Sequence, residues 1–281
     1  MLPAADSIVS RRPLGSGRHN GLVSTICLTG ATDGIGLATA RLLLDQGHRV
    51  LVHARSEERG RPVVDALSGD AVLVTGNLAD LAQVRALADQ VAGHGPVDVL
   101  VHNAGVWVRG NTPAVTADGF ETTFAVNVLA PHLLTTLLTE QLTGRLIWLG
   151  SGMAGSGRPD PAALGIERNP GQAYADSKAC DVALAQAWGR RLPTVASAAL
   201  DPGWVKTKLA SAGAPGTVYS SADSLAFCCT EADLSQAPYW KNRRPIPVPQ
   251  RLRDVGLQDA IATACDELVA SGQSPASSKP A

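Results

Sequence analysis

The chain has 281 residues, enough for one large α/β domain or two small ones, and its 24 lysines and arginines are matched by 25 aspartates and glutamates. Such a balance argues against a polyanion-binding surface, so nucleic acid is not an expected partner. No apolar run approaches the ~18 residues of a membrane span and no charged-then-apolar leader opens the sequence, which leaves a cytoplasmic protein as the expectation.

Residues 1–23 are rich in Pro, Gly, Ser and Arg without periodicity and are expected to form a mobile extension. Ser10-Arg11-Arg12 is followed by Pro13-Leu14-Gly15 rather than an apolar core, so it is not read as an export signal. Thr25–Leu28 is β-branched and apolar, a buried strand, and residues 37–44 repeat apolar side chains at helical spacing. Between them stands Thr29-Gly30-Ala31-Thr32-Asp33-Gly34-Ile35-Gly36. Glycine suits a backbone that turns sharply and lets another group approach, and the free N–H groups of the new helix face an anion. The stretch reads as a cradle for the phosphates of a dinucleotide, with an ordinary glycine-rich turn as the alternative.

Arg49–Ala54 is the second strand. An acid at its end would bind the ribose 2′-hydroxyl of NAD and repel a 2′-phosphate; Ala54 and Arg55 stand there instead, which favours NADP over the alternative of an ordinary surface arginine. Ala71–Thr75 is a third strand, and Asp80 caps a helix running to about Val91. Val97–His102 is the fourth strand and ends in Asn103-Ala104-Gly105, small residues against which a cofactor can lie. Trp107 follows, either roofing the site or packing within its loop.

Residues 117–141 read as one long amphipathic helix, in which Asn127 sits alone in an apolar stretch and must be bonded if buried. The fifth strand, 144–149, delivers Ser151 at its carboxyl end, where open parallel sheets bind ligands. A Gly- and Pro-rich segment, 153–172, separates it from Tyr174-Ala175-Asp176-Ser177-Lys178, which opens a helix to Arg191 with Tyr174 and Lys178 on one face. The sixth strand is 194–200, followed by Pro202-Gly203-Trp204-Val205-Lys206-Thr207. Residues 208–238 are expected to form a substrate lid with a helical pattern resuming near 221–230; then come a strand and turn near 239–249, a helix over 255–269 and a disordered tail, 271–281. Cys27, Cys180, Cys228, Cys229 and Cys265 lack metal-ligand spacing and read as buried thiols, so no metal is expected. Alternating strands and helices predict an α/β fold with a doubly wound parallel sheet.

Thr29-Gly30-x-x-x-Gly34-x-Gly36, Asn103-Ala104-Gly105, Asn127, Ser151, Tyr174-x-x-x-Lys178 and Pro202-Gly203 together resemble the short-chain dehydrogenase/reductase family over about residues 24–210. The long gap before Tyr174 resembles the retinol-dehydrogenase-like branch. The resemblance implies a Rossmann-type single domain over 24–270 and hydride transfer between NADP and a carbonyl or alcohol of a small, lipophilic substrate. It makes Asn127, Ser151, Tyr174 and Lys178 the catalytic set. Cofactor contacts carried over are Gly30, Thr32, Asp33, Gly34, Ile35 and Gly36 at the turn, Arg55, Asn77 and Leu78 toward adenosine, and Asn103, Ala104 and Gly105 beside them. Tyr174 and Lys178 would hold the ribose, and Pro202, Gly203, Val205 and Thr207 the nicotinamide end. Asn77 departs from the aspartate usual in the family, though its side-chain carbonyl can accept the same adenine hydrogen bond. A catalytically silent NADP-sensing regulator and a structural member share the fold, the first disfavoured because Ser151, Tyr174 and Lys178 coexist. Formation of a homo-oligomer is left open.

Overall fold

Successive residues of the inner strands are apolar on both sides, which requires cover on both faces of the sheet. The computed structural model describes residues 23–108, 115–166, 168–206 and 216–272. Its strands are β1 (Thr25–Leu28), β2 (Arg49–Ala54), β3 (Ala71–Thr75), β4 (Val97–His102), β5 (Leu142–Leu149), β6 (Ala196–Leu200), β7 (Tyr239–Lys241) and β8 (Arg244–Pro245). They form one sheet in the order β3-β2-β1-β4-β5-β6-β7-β8, parallel except for β8. The helices are α1 (Gly34–Asp45), α2 (Glu57–Asp65), α3 (Leu81–Ala92), α4 (Thr122–Phe124), α5 (Ala130–Leu137), α6 (Pro170–Arg191), α7 (Val218–Thr230) and α8 (Val255–Ser271).

Strand alternation divides the interior into two cores. Ile26, Leu28, Val99, Val101 and Leu149 face one side with Leu43 of α1 and Leu225 of α7. Cys27, Leu100, Leu146 and Trp148 face the other, with Leu87 of α3, Leu134 of α5, Val182 of α6 and Ile261 of α8. Each large side chain so buried contributes about 1.5–3 kcal/mol. From β1 the chain winds outward to β3 and then returns to place β4 on the other side of β1, so a crevice opens between the carboxyl ends of β1 and β4.

Two expected helix bounds are corrected by the structure. The helix expected over 117–141 starts only at Thr122, because residues 116–120 form a turn with Gly119 at φ +83° and the Glu121 carboxylate then accepts from the N–H groups of Thr123 and Phe124. It carries a π-helical turn, Ala125–Leu129, just before Pro131, whose missing N–H denies Asn127 its usual α-helical partner. The helix bearing Tyr174 starts earlier than expected, at Pro170, capped by Asn169. Within the stretch expected to be a lid, α7 packs Ala222, Leu225, Cys228 and Cys229 into the core, while 208–215 lie outside the described residues. Most of the expected extension and tail, 1–22 and 273–281, also lies outside them.

The carboxyl-terminal elements are tied in by polar groups. The turn from β7 to β8 places Asn242 and Arg243 at φ 49° and 60°, the two positive values that a tight hairpin requires. Helix α8 is pinned where Asp266 accepts from His132 at 2.7 Å and pairs with Arg191 at 2.8 Å. Among the described residues no helix is long and apolar enough to cross a membrane, and no cluster of side chains could hold a metal ion.

Two strand histidines are fully buried and neutral. His102 bonds through Nε2 to Thr135 Oγ1 at 2.7 Å, and His53 bonds through Nε2 to the Gly76 carbonyl at 2.8 Å. Burial lowers their pKa values from the usual 6.5, to about 3 for His102 and about 4 for His53. The unfolded chain therefore binds protons below pH 6.5 that the fold refuses, so stability is lost as pH falls from 6.5 toward 4. Each histidine should withdraw about 2 kcal/mol between pH 7.5 and pH 5. Urea unfolding at the two pH values measures this. His102→Gln keeps a donor for Thr135 and cannot titrate, so it should remove its own share, about 2 kcal/mol, of the dependence; an unchanged dependence would refute the assignment.

Candidate active site

The crevice is built around Thr29, which is 1% exposed at the end of β1. Its hydroxyl donates to the Val101 carbonyl at 3.1 Å and accepts from the N–H groups of Asn103 and Ala104, both at 3.0 Å. Asn103 completes the bracket by donating through Nδ2 to the carbonyls of Thr29 and Gly30 at 2.7 and 3.0 Å. Gly30 holds φ +63°, and a Cβ there would lie 2.8 Å from Ala104 Cα; a Cβ at Gly36 would collide with the Gly30 carbonyl. The packing of the turn against β4, as well as ligand approach, therefore demands glycine at these two positions. His53 adds a second bracket. Its Nδ1 accepts from Gly30 N–H at 3.0 Å while Nε2–H donates to Gly76, so one neutral ring links the glycine turn to the end of β3.

These strand ends line a cavity of about 460 Å³. Every residue from Gly30 to Gly105 expected to hold the cofactor lies on its wall. Arg55 is joined there by Arg59 of α2, both exposed, so two guanidinium groups rather than one border the same end of the cavity. Asn77 also lines it, with its Oδ1 accepting from the Ala79 N–H at 3.2 Å. A backbone turn with no room for side chains, a cavity at the carboxyl ends of the strands and two arginines on its wall fit a dinucleotide.

Next to the cavity, Asn127 on the π-helical turn is linked to Tyr174 and Lys178 on α6, and Ser151 follows the end of β5. Asn127 Nδ2 donates to Val106 O and to Ser177 Oγ, each at 3.0 Å, and its Oδ1 accepts from Val106 N at 2.8 Å. Ser177 in turn donates to the Tyr174 carbonyl at 2.8 Å, so Asn127 is tied to the tyrosine's own turn of helix. Lys178 is buried, with Nζ 5.8 Å from the Tyr174 ring centre, and donates to the Leu149 carbonyl at 2.7 Å and to Asp181 at 2.8 Å. A Cβ at Gly105 would lie 3.6 Å from that Nζ, so glycine keeps the space before the ammonium open. Ser151 Oγ accepts from Met153 N at 3.2 Å, and its carbonyl accepts from the Tyr239 hydroxyl at 3.0 Å. Trp107 stacks on Tyr174 with ring centres 4.7 Å apart and planes 13° apart, and its indole N–H bonds to Pro170 O. The site-roofing alternative for Trp107 thus accords with its position.

Segment 153–172 is fastened to α6 by Asp176, which accepts from Arg158 N–H and from Gln172, both at 2.6 Å, and faces Arg168 at 3.5 Å. Beyond β6, Gly203 takes φ +81° with its N–H on Asp201 Oδ1 at 2.8 Å, while Val205 bridges to Gly216. Pro202 accepts from Ser221 through its carbonyl. The remaining expected contact, Thr207, lies outside the described residues.

Comparison with known proteins places this geometry. The family model described as short chain dehydrogenase matches residues 24–215. The uncharacterized oxidoreductase AN7799 of Emericella nidulans is 32% identical, covering 86% of this chain and 96% of that protein. DnrU of Streptomyces sp., named as a candidate daunorubicin C-13 ketoreductase, is 35% identical over 85% of this chain and 90% of its own length. A solved short chain dehydrogenase from Burkholderia cenocepacia in complex with NADP superposes with a TM-score of 0.64 at 27% identity, over 77% of this chain and 94% of that one. The chain belongs to the short-chain dehydrogenase/reductase family and is an NAD(P)-dependent oxidoreductase.

Thr29, His53, Arg59, Ser177 and Asp181 were not among the site residues expected from sequence. Arg59 was within reach of that reading, one helical turn beyond Arg55. The others act through the backbone or through a partner whose position only the fold supplies. Thr29→Val keeps the shape and leaves the two N–H groups without their acceptor, which should cost roughly 2–4 kcal/mol of stability and weaken NADPH binding. Urea unfolding and a cofactor titration check both; unchanged values would mean the bracket is dispensable.

Proposed function

We propose that this protein is an NADPH-preferring carbonyl reductase, able to run in reverse as an alcohol dehydrogenase, acting on small lipophilic substrates. The observation that carries the reading is Tyr174 one helical turn from the buried ammonium of Lys178, both at the carboxyl edge of the sheet beside the cavity. When bound, the nicotinamide supplies or accepts the hydride. Ser151 Oγ donates a hydrogen bond to the substrate oxygen, and the Tyr174 hydroxyl gives that oxygen its proton or takes it back. Lys178 holds the ribose and sets its ammonium beside the tyrosine, while Asn127 fixes the helix turn on which both sit. Trp107, stacked on Tyr174, and Trp204, 59% exposed next to the Pro202-Gly203 turn, support an apolar approach to the site. The name of DnrU, which specifies a ketone, supports the direction of reduction.

NADPH preference rests on Arg55 and Arg59 together with the absence of an acid at Ala54. Replacing both arginines by alanine should lower the NADPH to NADH affinity ratio by about tenfold or more, since a hydrogen bond to a charged group contributes roughly 1.5–3 kcal/mol. Equal ratios in variant and parent would remove the 2′-phosphate from this end of the cavity.

Tyr174→Phe keeps the ring under Trp107 and removes the proton carrier. Turnover of aldehydes and ketones with NADPH should fall by about 10² to 10⁴, with NADPH affinity nearly unchanged, whereas Lys178→Met should damage both. Near-parental turnover in Tyr174→Phe would move the protein to the cofactor-sensing reading.

A further inference from the structure

Lys178 and Asp181 form an ion pair with both side chains buried, Nζ 2.8 Å from Oδ2 and one turn apart on α6. The other carboxylate oxygen, Oδ1, is buried without a hydrogen bond. A sealed pair of this kind yields little net stability, because desolvating two charges offsets their attraction. Helix α6 does not need it for anchorage, since Ala179, Val182, Ala183 and Leu184 around it are fully buried in the core. The pair instead stands beside the tyrosine assigned to proton transfer, 5.8 Å from its ring centre. Burial by itself would push the Lys178 ammonium down, and Asp181 with Tyr174 carries it above the ordinary lysine value. Burial raises Asp181 to about 6 against the opposing pull of Lys178, so at neutral pH both partners are charged.

We propose that Asp181 is a positioning residue for the Tyr174–Lys178 pair: it anchors the ammonium and, by its own charge, sets the pH up to which the pair keeps its protons. The proposal rests on the reading of Tyr174 and Lys178 as the proton-transfer pair. The titratable groups facing Asp181 are Lys178 and Cys180 on α6, Tyr239 on β7 and Cys265 on α8, and Tyr174 faces the same Lys178 from the other side along the helix. Burial raises Cys180, Tyr239 and Cys265, so these three stay neutral and the charges that matter are those of the pair and of Asp181. Asp201 faces Tyr239 and is paired with Lys241 at 2.7 Å.

The sign follows from charge alone. Losing a proton from Tyr174 or from Lys178 subtracts one positive charge, and a neighbouring carboxylate opposes either loss. Removing that carboxylate therefore moves the first deprotonation of the coupled pair to lower pH, whichever member gives up the proton. Asp181→Asn leaves an oxygen that accepts from Nζ and deletes only the charge. Tyr174 and Asp181 are seven residues apart on α6, about 10 Å along the helix axis, and a unit charge at that distance in a medium of effective dielectric near 20 predicts a displacement of about one pH unit for the tyrosine.

The test has an arm with turnover and an arm without it. The pH–rate profile of carbonyl reduction with NADPH is compared between wild type and Asp181→Asn, with the unfolding midpoint of each. In parallel, tyrosinate ultraviolet absorbance of the cofactor-free protein is titrated, with Tyr174→Phe in each background subtracted to isolate Tyr174 among the three tyrosines. The alkaline limb and the Tyr174 absorbance should both move down by about one unit in Asp181→Asn and stay near wild type in Asp181→Glu, which keeps the charge. Asp181→Ser supplies a second neutral acceptor if the asparagine variant does not fold. A folded neutral variant with limb and absorbance unmoved, or one slower at every pH with no displacement, would overturn the proposal. An absorbance displacement in a protein that turns over no carbonyl would instead overturn the reductase reading and leave the electrostatic role of Asp181 standing.

Discussion

The structure depends on one buried hydroxyl. Strands β1 and β4 are hydrogen-bonded neighbours, yet their continuations must part to admit a ligand, and at the point of parting the backbone groups of both chains lose their ladder partners. Thr29 Oγ1 takes over three of those duties at once, on Val101, Asn103 and Ala104. Only then can Asn103 turn its amide back onto the carbonyls of the glycine turn and hold that turn rigid. The cavity is a consequence of how polar groups are satisfied at a topological switch as much as of the glycines that leave space.

The same economy recurs at the second strand. His53 points from β2 into the interior, where an ionised ring would be costly, and burial keeps it neutral. A neutral imidazole with one acceptor and one donor nitrogen matches the unpaired Gly30 N–H on one side and the unpaired Gly76 carbonyl on the other. An apolar residue of similar size would leave both groups orphaned. Thr29 and His53 are thus polar side chains at positions that hydrophobic patterning would assign to the core, and both fasten loops that border the cavity.

This explains what was legible in the sequence. Strand and helix alternation is a property of local composition, so the sheet and its first six strands could be read directly, as could the order of Tyr174, Lys178 and Ser151. Residues whose role is to satisfy a neighbour's backbone carry no such pattern. Thr29 reads as the last β-branched residue of a strand, His53 as one polar position in an apolar run, and Asp181 as a helix residue three positions past the lysine. The length of the helix carrying Asn127 was misjudged for a related reason: apolar residues continue at helical spacing on both sides of it, while Gly119 and the Glu121 cap set its start.

The carboxyl-terminal hairpin shows how far from the motifs the site extends. The family match ends at residue 215, yet β7 reaches back into the catalytic edge at two places. The Tyr239 hydroxyl holds the Ser151 carbonyl, and Lys241 pairs at 2.7 Å with the buried Asp201, whose other oxygen receives the Gly203 N–H. Ser151 lies at the end of β5 and Gly203 just beyond β6, two loops with no side-chain bond to each other among the described residues. Their strands pair directly as far as Leu149 opposite Leu200, with the Gly150 N–H on the Leu200 carbonyl, and β7, laid against β6, adds a second tie between the loops beyond. A two-residue turn with both φ values positive is what lets β7 end there and β8 run back over the same edge. On the proposed reading the chemistry sits at the end of β5 and on α6, while the elements after residue 215 brace the two loops around it, so that parts of the chain outside the motifs help to shape the site.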